Sequence, residues 1–453
     1  MNYHGFMTQS GTGQSPPVYS HPAQWLVRAA RCRGDGLACL HGGRSWSFAE
    51  LDREVARVSA YLAGLADARV IGQVPNCPWH SILVMCACLR LGRAWLPLDA
   101  ELTAGQTADL IRQSGCKWVL TDHLIQGLPK DIAQVALDGL LDGVAVGDRP
   151  RQTEHSPDDI LLILPTSGTG GRPKGVMLSA ANLAASATAA SRRLGLVTGD
   201  RWLNCLPLSH IAGLAIPLRC QQAGATLVLH DGFDAARVWD DLQALGITHL
   251  SLVPAMLGRV LDVSGTARAP ASLRVVLIGG GPLAPALARR AHAACWPLVV
   301  SYGMSETGSL CVLDDSPRAG VEAGRVGRPL DGFELALTTA GLVRLSGPAV
   351  MAGYANPGLM PGTGLESGWF ETGDLGAWDA RGWLRIFGRA DAQLNSGGVR
   401  LHPQTVEQQL LACNGVRDVA VSSREDPLWG CLLYTLTLPT TIKPCRSRGS
   451  PAH

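Results

Sequence analysis

Short apolar runs alternate with amphipathic stretches over most of this chain, and this alternation is the feature that most limits its fold. Ser47 is of a type that caps helices, and Leu51, Val55 and Val58 follow it at helical spacing. Further helical patterns lie at 81–91 and 283–294. The candidate strands are 69–74, 117–121, 160–164, 225–229, 249–253, 274–278 and 298–302. Strands that alternate with helices form parallel sheets covered by helices, so we expect an α/β protein with layered βα sheets.

The pattern changes at about Gly324, where short strands separated by Gly and Pro turns begin, as in RVGRPLDGFELAL and GLVRLSGPAV. Such a texture predicts a small antiparallel sheet or a β-barrel-like part after the layered sheets. A second boundary is expected near Gly388. The first 20 residues are rich in Gly, Ser and Pro and are predicted to be a disordered leader.

Composition narrows the class of partner. A net charge of +2 with 17% charged residues gives neither a basic nor an acidic field, so a small-molecule ligand is expected, with no nucleic acid. No uncharged apolar run approaches the ~20 residues that span a bilayer, so no membrane is expected either. The 13 cysteines are scattered, odd in number and without a CxxC pair, which favours free thiols in a reducing compartment. We therefore expect a cytoplasmic protein; its oligomeric state is left open.

The loop 166–175, TSGTGGRPKG, follows the apolar run 160–164 and has the composition of a phosphate-binding loop. Its glycines let backbone N–H groups approach an anion, Thr166, Ser167 and Thr169 supply hydroxyls, and Lys174 supplies a positive charge. It is not a Walker loop, because a proline precedes the lysine and a glycine follows it. Taken alone, a flexible glycine-rich turn is the alternative interpretation.

Three further loops follow an apolar run or a glycine turn. In α/β proteins, ligands bind at loops beyond the carboxyl ends of strands. Residues 279–282, GGGP, offer bare backbone to a planar base, although such a run is often only a tight turn. Glu306 in YGMSET is suited to hold Mg²⁺ against a phosphate, or else begins a solvated helix. Asp374 in GWFETGD can accept hydrogen bonds from both ribose hydroxyls, or is simply a turn residue.

TSGTGGRPKG, YGMSE, WFETGD and GRADAQLNSGGVR occur here in the order and spacing found in the adenylate-forming, or AMP-binding, superfamily, which the chain resembles from about His21 to Gly430. This superfamily contains acyl-CoA synthetases, luciferases and peptide-synthetase adenylation domains. The resemblance implies an adenylation domain at 21–387, a hinge at 388–391 and a small α+β C-terminal domain at 392–453, with ATP, Mg²⁺ and coenzyme A as cofactor or co-substrates.

The resemblance also implies roles for individual residues. Lys174, Glu306 and Arg389 are implied to be catalytic, with Glu306 as the Mg²⁺ ligand. The implied ATP-binding set is Thr166, Ser167, Gly168, Thr169, Gly170, Lys174, Gly279, Gly280, Gly281, Pro282, Tyr302, Gly303, Ser305, Asp374 and Arg389. His210, Thr307 and Ser309 are expected to contact the carboxylate substrate. The segment with Ser396, Gly397 and Gly398 is expected near coenzyme A.

The reaction implied is adenylation of a carboxylate followed by acyl transfer to the coenzyme A thiol. The strings PLSHIAGL, IGGGPL and YGMSETGS look most like o-succinylbenzoate-CoA ligases of menaquinone and phylloquinone synthesis. A generic aryl- or fatty-acyl-CoA synthetase is the alternative substrate class. A P-loop kinase is disfavoured because the Walker spacing is missing.

The C-terminal part departs from the family pattern. The family's P-x-T-x-x-G-K lysine context does not occur, and Lys443 in LPTTIKPCR lacks the glycine, so we do not assign it as catalytic. Residues 432–442 form an uncharged β-favouring run, and no acidic residue occurs after Asp426. The expectation is a truncated or frameshifted end, and hence an adenylation-impaired nucleotide-binding homologue as a further alternative.

Overall fold

The computed structural model describes residues 20–75, 77–99, 101–137, 154–166, 172–315, 322, 324–396, 399–411, 413, 416–426 and 430–439. Its helices are α1 (Trp25–Arg33), α2 (Phe48–Ala63), α3 (Pro78–Leu91), α4 (Ala104–Ser114), α5 (Ala180–Leu194), α6 (Ile211–Ala223), α7 (Ala235–Ala244), α8 (Pro254–Ser264), α9 (Pro285–Ala293) and α10 (Pro403–Leu411). Short 3₁₀ turns cover Pro22–Gln24 and Ser305–Thr307. None of the helices in these ranges is long and apolar enough to cross a membrane.

Each of the seven candidate strands overlaps a strand of the structure. The strands of the structure are β1 (Leu37–His41), β2 (Arg44–Ser47), β3 (Val70–Gln73), β4 (Ala94–Pro97), β5 (Trp118–Leu120), β6 (Ala133–Val135), β7 (Ile160–Thr166), β8 (Lys174–Ser179), β9 (Arg201–Asn204), β10 (Thr226–Leu229), β11 (His249–Leu252), β12 (Val275–Ile278), β13 (Leu298–Met304), β14 (Ser309–Asp314), β15 (Arg325–Pro329), β16 (Glu334–Leu337), β17 (Leu342–Ser346), β18 (Gly353–Tyr354), β19 (Phe370–Trp378), β20 (Leu384–Arg389), β21 (Leu394–Ser396), β22 (Val399–Leu401), β23 (Val416–Asp426) and β24 (Gly430–Pro439).

Two large sheets organise these strands. One has the order β16-β17-β19-β20-β15-β14-β13-β12-β11-β9-β10-β1-β2, and the other has the order β18-β8-β7-β4-β3-β5-β6. In the first of these sheets, the adjacent pairs β1-β10, β10-β9, β9-β11, β11-β12 and β12-β13 are parallel. The pairs β13-β14, β14-β15, β15-β20, β20-β19, β19-β17 and β17-β16 are antiparallel. The α/β prediction and the antiparallel part predicted after Gly324 are therefore confirmed.

Helix α2 begins where its sequence indicates. The Ser47 hydroxyl accepts a hydrogen bond from the Glu50 backbone N–H at 3.2 Å, and the Glu50 carboxylate accepts one from the Ser47 N–H at 2.8 Å. This reciprocal arrangement is a capping box, which satisfies two N–H groups at the helix start. Leu51, Val55 and Val58 then face the core.

Two adjacent strands of the larger sheet, β11 and β12, are buried on both faces. All four residues of β11 and all four of β12 are buried, which accounts for their apolar runs. Strand β8 was not predicted; it pairs antiparallel with β7, with Thr166 opposite Lys174. The glycine-rich loop therefore joins two antiparallel strands, so that its first hydroxyl and its lysine stand side by side at one sheet end.

The last part of the described chain consists of the two hairpins β21-β22 and β23-β24, with α10 between them. The Ser396 hydroxyl donates a hydrogen bond to the Cys431 carbonyl oxygen at 2.7 Å, and that bond joins the two hairpins. This agrees with the small α+β domain predicted after the adenylation part. Residues 1–19 of the predicted leader, Lys443 and the other residues after 439 lie outside the described residues.

Candidate active site

A cavity of about 420 Å³ opens at the carboxyl ends of β11, β12 and β13, where ligands bind in α/β sheets. Its walls include the predicted loop residues Gly279–Pro282, Tyr302 and Gly303, together with Asp374 and Arg389. Residues from three of the predicted loops, far apart in the sequence, thus face a single space. We call the part with Tyr302, Asp374 and Arg389 the outer end of the cavity.

Glycine is required at two points of this wall. A Cβ at Gly303 would lie 2.1 Å from the Ser309 carbonyl oxygen, where β13 and β14 shift register. Gly280 has a φ of +73°, a conformation that favours glycine. The backbone can therefore approach the cavity more closely than a substituted chain could.

Strand pairing places the outer-end residues. Asp374 on β19 lies opposite Arg389 on β20, with 3.7 Å between Asp374 Oδ1 and Arg389 Nη1. The Tyr302 hydroxyl donates a hydrogen bond to Asp374 Oδ2 at 2.6 Å. Arg389 also donates to the Thr372 carbonyl oxygen at 2.8 Å and to both oxygens of Asp391, at 3.1 and 3.2 Å. Each charged group at this end therefore has protein partners.

The protonation of these groups follows from their surroundings. Burial raises the pKa of the Asp374 carboxyl, against the opposing effects of the Tyr302 hydrogen bond and the Arg389 charge. Burial and the adjacent Asp374 raise the pKa of the Tyr302 phenol. The phenol therefore stays protonated and acts as the hydrogen-bond donor to Asp374. The hydrogen bond between Arg389 and Asp391 raises the pKa of the arginine and lowers that of the aspartate.

Lys174, Glu306 and Tyr354 form a second cluster. Lys174 Nζ lies 4.8 Å from the centroid of the Tyr354 ring, and the Tyr354 hydroxyl donates to Glu306 Oε1 at 3.0 Å. Glu306 lies two residues after Met304, the last β13 residue that lines the cavity. Its half-buried carboxylate is an oxygen donor of the kind that Mg²⁺ prefers. The cation at the end of the predicted phosphate loop and the carboxylate of Glu306 thus both contact Tyr354.

Several predicted residues take other positions or cannot be described. Ser309 lines the cavity, whereas Thr307 is buried, and its hydroxyl oxygen lies 2.5 Å from the Ser309 carbonyl oxygen. The Ser305 carbonyl oxygen accepts a hydrogen bond from the Gly308 N–H, which closes a tight turn. Those outside the described residues are Ser167, Gly168, Thr169, Gly170, Gly397 and Gly398.

His210 lies at the wall between two cavities. Its side chain lines a second cavity of about 340 Å³, while the next residues, Ile211 and Ala212, line the first. His210 Nε2 is 3.6 Å from Asp99 Oδ2, and the Ser209 hydroxyl donates to the same Asp99 oxygen at 3.0 Å. The His210 side chain therefore lines the second cavity and not the main one.

Arg219 is a cavity residue that the sequence-based predictions do not include. It is 1% exposed, and its Nε and Nη2 atoms have no hydrogen-bond partner in the described part of the chain. Its guanidinium carbon lies 5.6 Å from the Trp202 ring centroid. Burial lowers the pKa of Arg219 to about 10, so the side chain still carries its charge at pH 7. We call the part with Arg219 and Ser251 the inner end of the cavity.

Helix α6 delivers Arg219 to this position. Pro217 lies within the helix and cannot donate to the Gly213 carbonyl oxygen, which accepts instead from the buried Asn204 amide at 3.0 Å. Arg219 is the only charged residue of α6, IAGLAIPLRCQQA. A lone charge in an otherwise apolar and neutral helix is the one sequence signal that could have drawn attention to it.

The fold and this arrangement of loops define a class of protein. A family model described as AMP-binding enzyme matches residues 26–355. The chain belongs to this family of enzymes, which confirms the resemblance drawn from the four motifs.

More specific likenesses are also present. The 2-succinylbenzoate–CoA ligase of Enterococcus faecalis is 32% identical over 424 residues, covering 90% of this chain and 87% of the ligase. The o-succinylbenzoate CoA synthetase of Bacillus subtilis in complex with its acyl-adenylate intermediate has a TM-score of 0.83 at 29% identity, covering 93% of this chain and 89% of that one. The same synthetase with ATP and magnesium ion has a TM-score of 0.80 at 28% identity, covering 92% and 90%.

Proposed function

We propose that this chain is an ATP-dependent acid–thiol ligase that activates o-succinylbenzoate as an acyl-adenylate and transfers the acyl group to coenzyme A. The likeness to the Enterococcus and Bacillus ligases supports this proposal over most of the chain. A role in menaquinone or phylloquinone biosynthesis follows from that substrate. A reducing compartment such as the cytoplasm is part of the proposal, because the cysteines among the described residues are free.

The observation that carries the substrate is Arg219. A buried guanidinium with two nitrogens that lack hydrogen-bond partners among the described residues is costly, and an anion that enters the cavity removes much of that cost. o-Succinylbenzoate has two carboxylates, so one can be activated while the other stays ionised and meets the guanidinium. Fatty acids and simple aryl acids have no second carboxylate. Arg219 therefore favours the dicarboxylate over the generic acyl substrates.

The outer end of the cavity suits the nucleotide. Asp374 already accepts a hydrogen bond from Tyr302 and has the acceptor capacity to take bonds from ribose hydroxyls. Gly279 to Pro282 present a bare backbone on which an adenine base can lie. Arg389 is held beside Asp374 and supplies positive charge near the phosphates. Lys174 is proposed to join these residues in binding the phosphates.

In the first half-reaction, an oxygen of the substrate carboxylate attacks the α-phosphorus, the bond from phosphorus to the bridging oxygen of pyrophosphate breaks, and pyrophosphate leaves. Lys174 and Arg389 stabilise the charge that builds on the phosphate oxygens, and one preorganised donor of this kind contributes about 10²- to 10³-fold to a rate. Mg²⁺ held by Glu306 would neutralise further phosphate charge.

In the second half-reaction the coenzyme A thiolate attacks the acyl carbon, a thioester forms and AMP leaves. We propose that residues 388–391 act as the hinge that lets the small domain move between the two steps. The pair of hydrogen bonds between Arg389 and Asp391 lies inside this segment. The Ser396 segment follows it and is proposed to approach coenzyme A.

A pyrophosphate-exchange assay with a panel of acids tests the proposal. Exchange of label between pyrophosphate and ATP should require o-succinylbenzoate and be much weaker with benzoate or a medium-chain fatty acid. Addition of coenzyme A should then convert the adenylate into o-succinylbenzoyl-CoA, detected by mass spectrometry. Equal exchange with all acids would support the generic synthetase instead, and MgATP binding without exchange on any acid would support the impaired homologue.

A further inference from the structure

Tyr354 lies between the two charged groups proposed to bind the phosphates and the metal. Its ring is 4.8 Å from Lys174 Nζ, and its hydroxyl donates a hydrogen bond to Glu306 at 3.0 Å. None of the proposed catalytic steps uses this tyrosine. It nevertheless contacts both charges at once, one through its ring and the other through its hydroxyl.

The backbone fixes the tyrosine in this place. Tyr354 lies on β18, which pairs with β8 so that it stands opposite Val176, two residues after Lys174. Its N–H donates to the Thr363 carbonyl oxygen at 2.8 Å. On the other side, a Cβ at Gly364 would lie 2.4 Å from the ring, so only glycine leaves the ring its space. The ring is therefore held by the strand on one side and by Gly364 on the other.

The charges on either side of the ring are of opposite sign. Over the residues that the structure describes, Lys174 and Glu306 form no ion pair with each other within 4.0 Å. A direct pair would place the ammonium on the oxygens that a magnesium ion needs, and would also withdraw the ammonium from the phosphates. The ring provides an alternative partner for the cation, and the hydroxyl provides one for the carboxylate.

We propose that Tyr354 is a positioning residue that separates Lys174 from Glu306 and holds both ready for MgATP. The proposal rests on the proposed function insofar as Lys174 binds phosphate and Glu306 binds Mg²⁺. It predicts two separable contributions. The hydroxyl orients the carboxylate and so affects Mg²⁺ dependence, whereas the ring keeps the lysine away from the carboxylate and so affects nucleotide affinity.

Binding of MgATP to the full chain, measured by calorimetry over a series of Mg²⁺ concentrations without any acid, separates the two contributions. Tyr354→Phe keeps the ring, and it should raise the Mg²⁺ concentration for half-maximal binding about tenfold, as expected when a hydrogen bond to a charged group is lost. Tyr354→Leu removes the ring as well, and it should weaken MgATP binding about threefold more at saturating Mg²⁺.

Double variants show whether Tyr354 acts through its two neighbours. In a Glu306→Gln background, Tyr354→Phe should cause no further shift in Mg²⁺ dependence. In a Lys174→Met background, the added effect of Tyr354→Leu should vanish. Tyr61→Phe, in α2 outside this cluster, is the matched control and should bind MgATP like the unaltered protein. Thermal unfolding checks that each variant is folded.

Two outcomes would overturn the proposal. One is a folded Tyr354→Phe variant with unchanged Mg²⁺ dependence, and the other is an effect of equal size in the Glu306→Gln background. Neither outcome depends on the acid substrate, because no acid is present. If the ligase assay fails while the binding shifts occur, the proposed function is wrong and the role of Tyr354 stands.

Discussion

The charged side chains at the two ends of the main cavity differ in their hydrogen bonding. At the outer end, Asp374 is bonded by Tyr302 and flanked by Arg389, which is itself bonded to Asp391. At the inner end, Arg219 is buried with two guanidinium nitrogens unbonded. A neutral, hydroxyl-rich ligand part such as ribose suits the first arrangement, whereas the second needs a counter-charge from the ligand. Under the proposed function, the outer end would therefore take the nucleotide part of the ligand and the inner end its anionic acyl part.

The largest expected effect comes from removing the inner charge. Arg219→Met should lower kcat/KM for o-succinylbenzoate about 10²- to 10³-fold, since it leaves one substrate carboxylate buried without a partner. Stability should stay equal or rise, because a buried unpaired charge is replaced by an apolar chain of similar length. Steady-state kinetics and thermal unfolding measure the two changes.

The control for this substitution is Arg290→Met, which removes an arginine from an exposed pair with Asp262. That change should alter stability by less than ~1 kcal/mol and leave the kinetics unchanged. If Arg219→Met instead unfolds the protein and spares the substrate preference, then Arg219 is part of the core and the contrast between the ends disappears.

The two ends also differ in how far the sequence foretells them. The outer-end residues Tyr302, Asp374 and Arg389 lie on strands, and each stands next to a glycine in a short motif, so they could be found from the local sequence. Arg219 lies within a helix, and its burial depends on Trp202 from β9, more than ten residues earlier. No local pattern encodes that packing, which explains why the inner end was missed.

The same distinction applies to the fold. Strands such as β11 and β12 are buried on both faces and so form continuous apolar runs that the sequence reveals. Strand β8 begins at the charged Lys174 and directly follows a glycine-rich loop, so its first residues look like loop. Its pairing with β7 is set by the sheet rather than by local composition.

The second-largest expected effect tests the nucleotide-binding role proposed for the outer end of the cavity. Asp374→Asn should weaken MgATP binding about tenfold to a hundredfold, because a charged acceptor for the Tyr302 hydroxyl and the ribose is replaced by an amide. The affinity for o-succinylbenzoate should change little, since the contacts of Asp374 are with Tyr302, Thr372 and Arg389 rather than with Arg219. Calorimetry with each ligand measures both. A comparable loss for both ligands would mean that the ends are not independent.

The pH dependence of binding should also separate the ends. Burial raises the pKa of Asp374, so adenosine binding should be lost as the pH falls through a value above the ordinary 3.8, where the carboxyl gains a proton. Asp374→Asn should lack this step.

The pKa of Arg219 is lowered to about 10, so binding of o-succinylbenzoate should instead weaken as the pH rises through about 10, where the guanidinium loses its proton. The affinity of each ligand, measured by calorimetry across the pH range in which the protein stays folded, tests both directions. The same pH profile for the two ligands would contradict the contrast.

The smallest effect tests whether the inner end acts as a unit. The Trp202 indole N–H donates to the Ser251 hydroxyl at 3.1 Å, and the same ring supports the Arg219 guanidinium. Ser251→Ala leaves the buried indole N–H without an acceptor, which costs about 1–3 kcal/mol of stability. Because the tryptophan is then less firmly placed, kcat/KM for o-succinylbenzoate should fall a few-fold while MgATP affinity stays the same.

Ser264→Ala, which removes a buried hydroxyl bonded within its own helix, should lower stability without the kinetic change. If the two serine variants behave alike in kinetics, Trp202 supports the core only, and Arg219 holds its position without it.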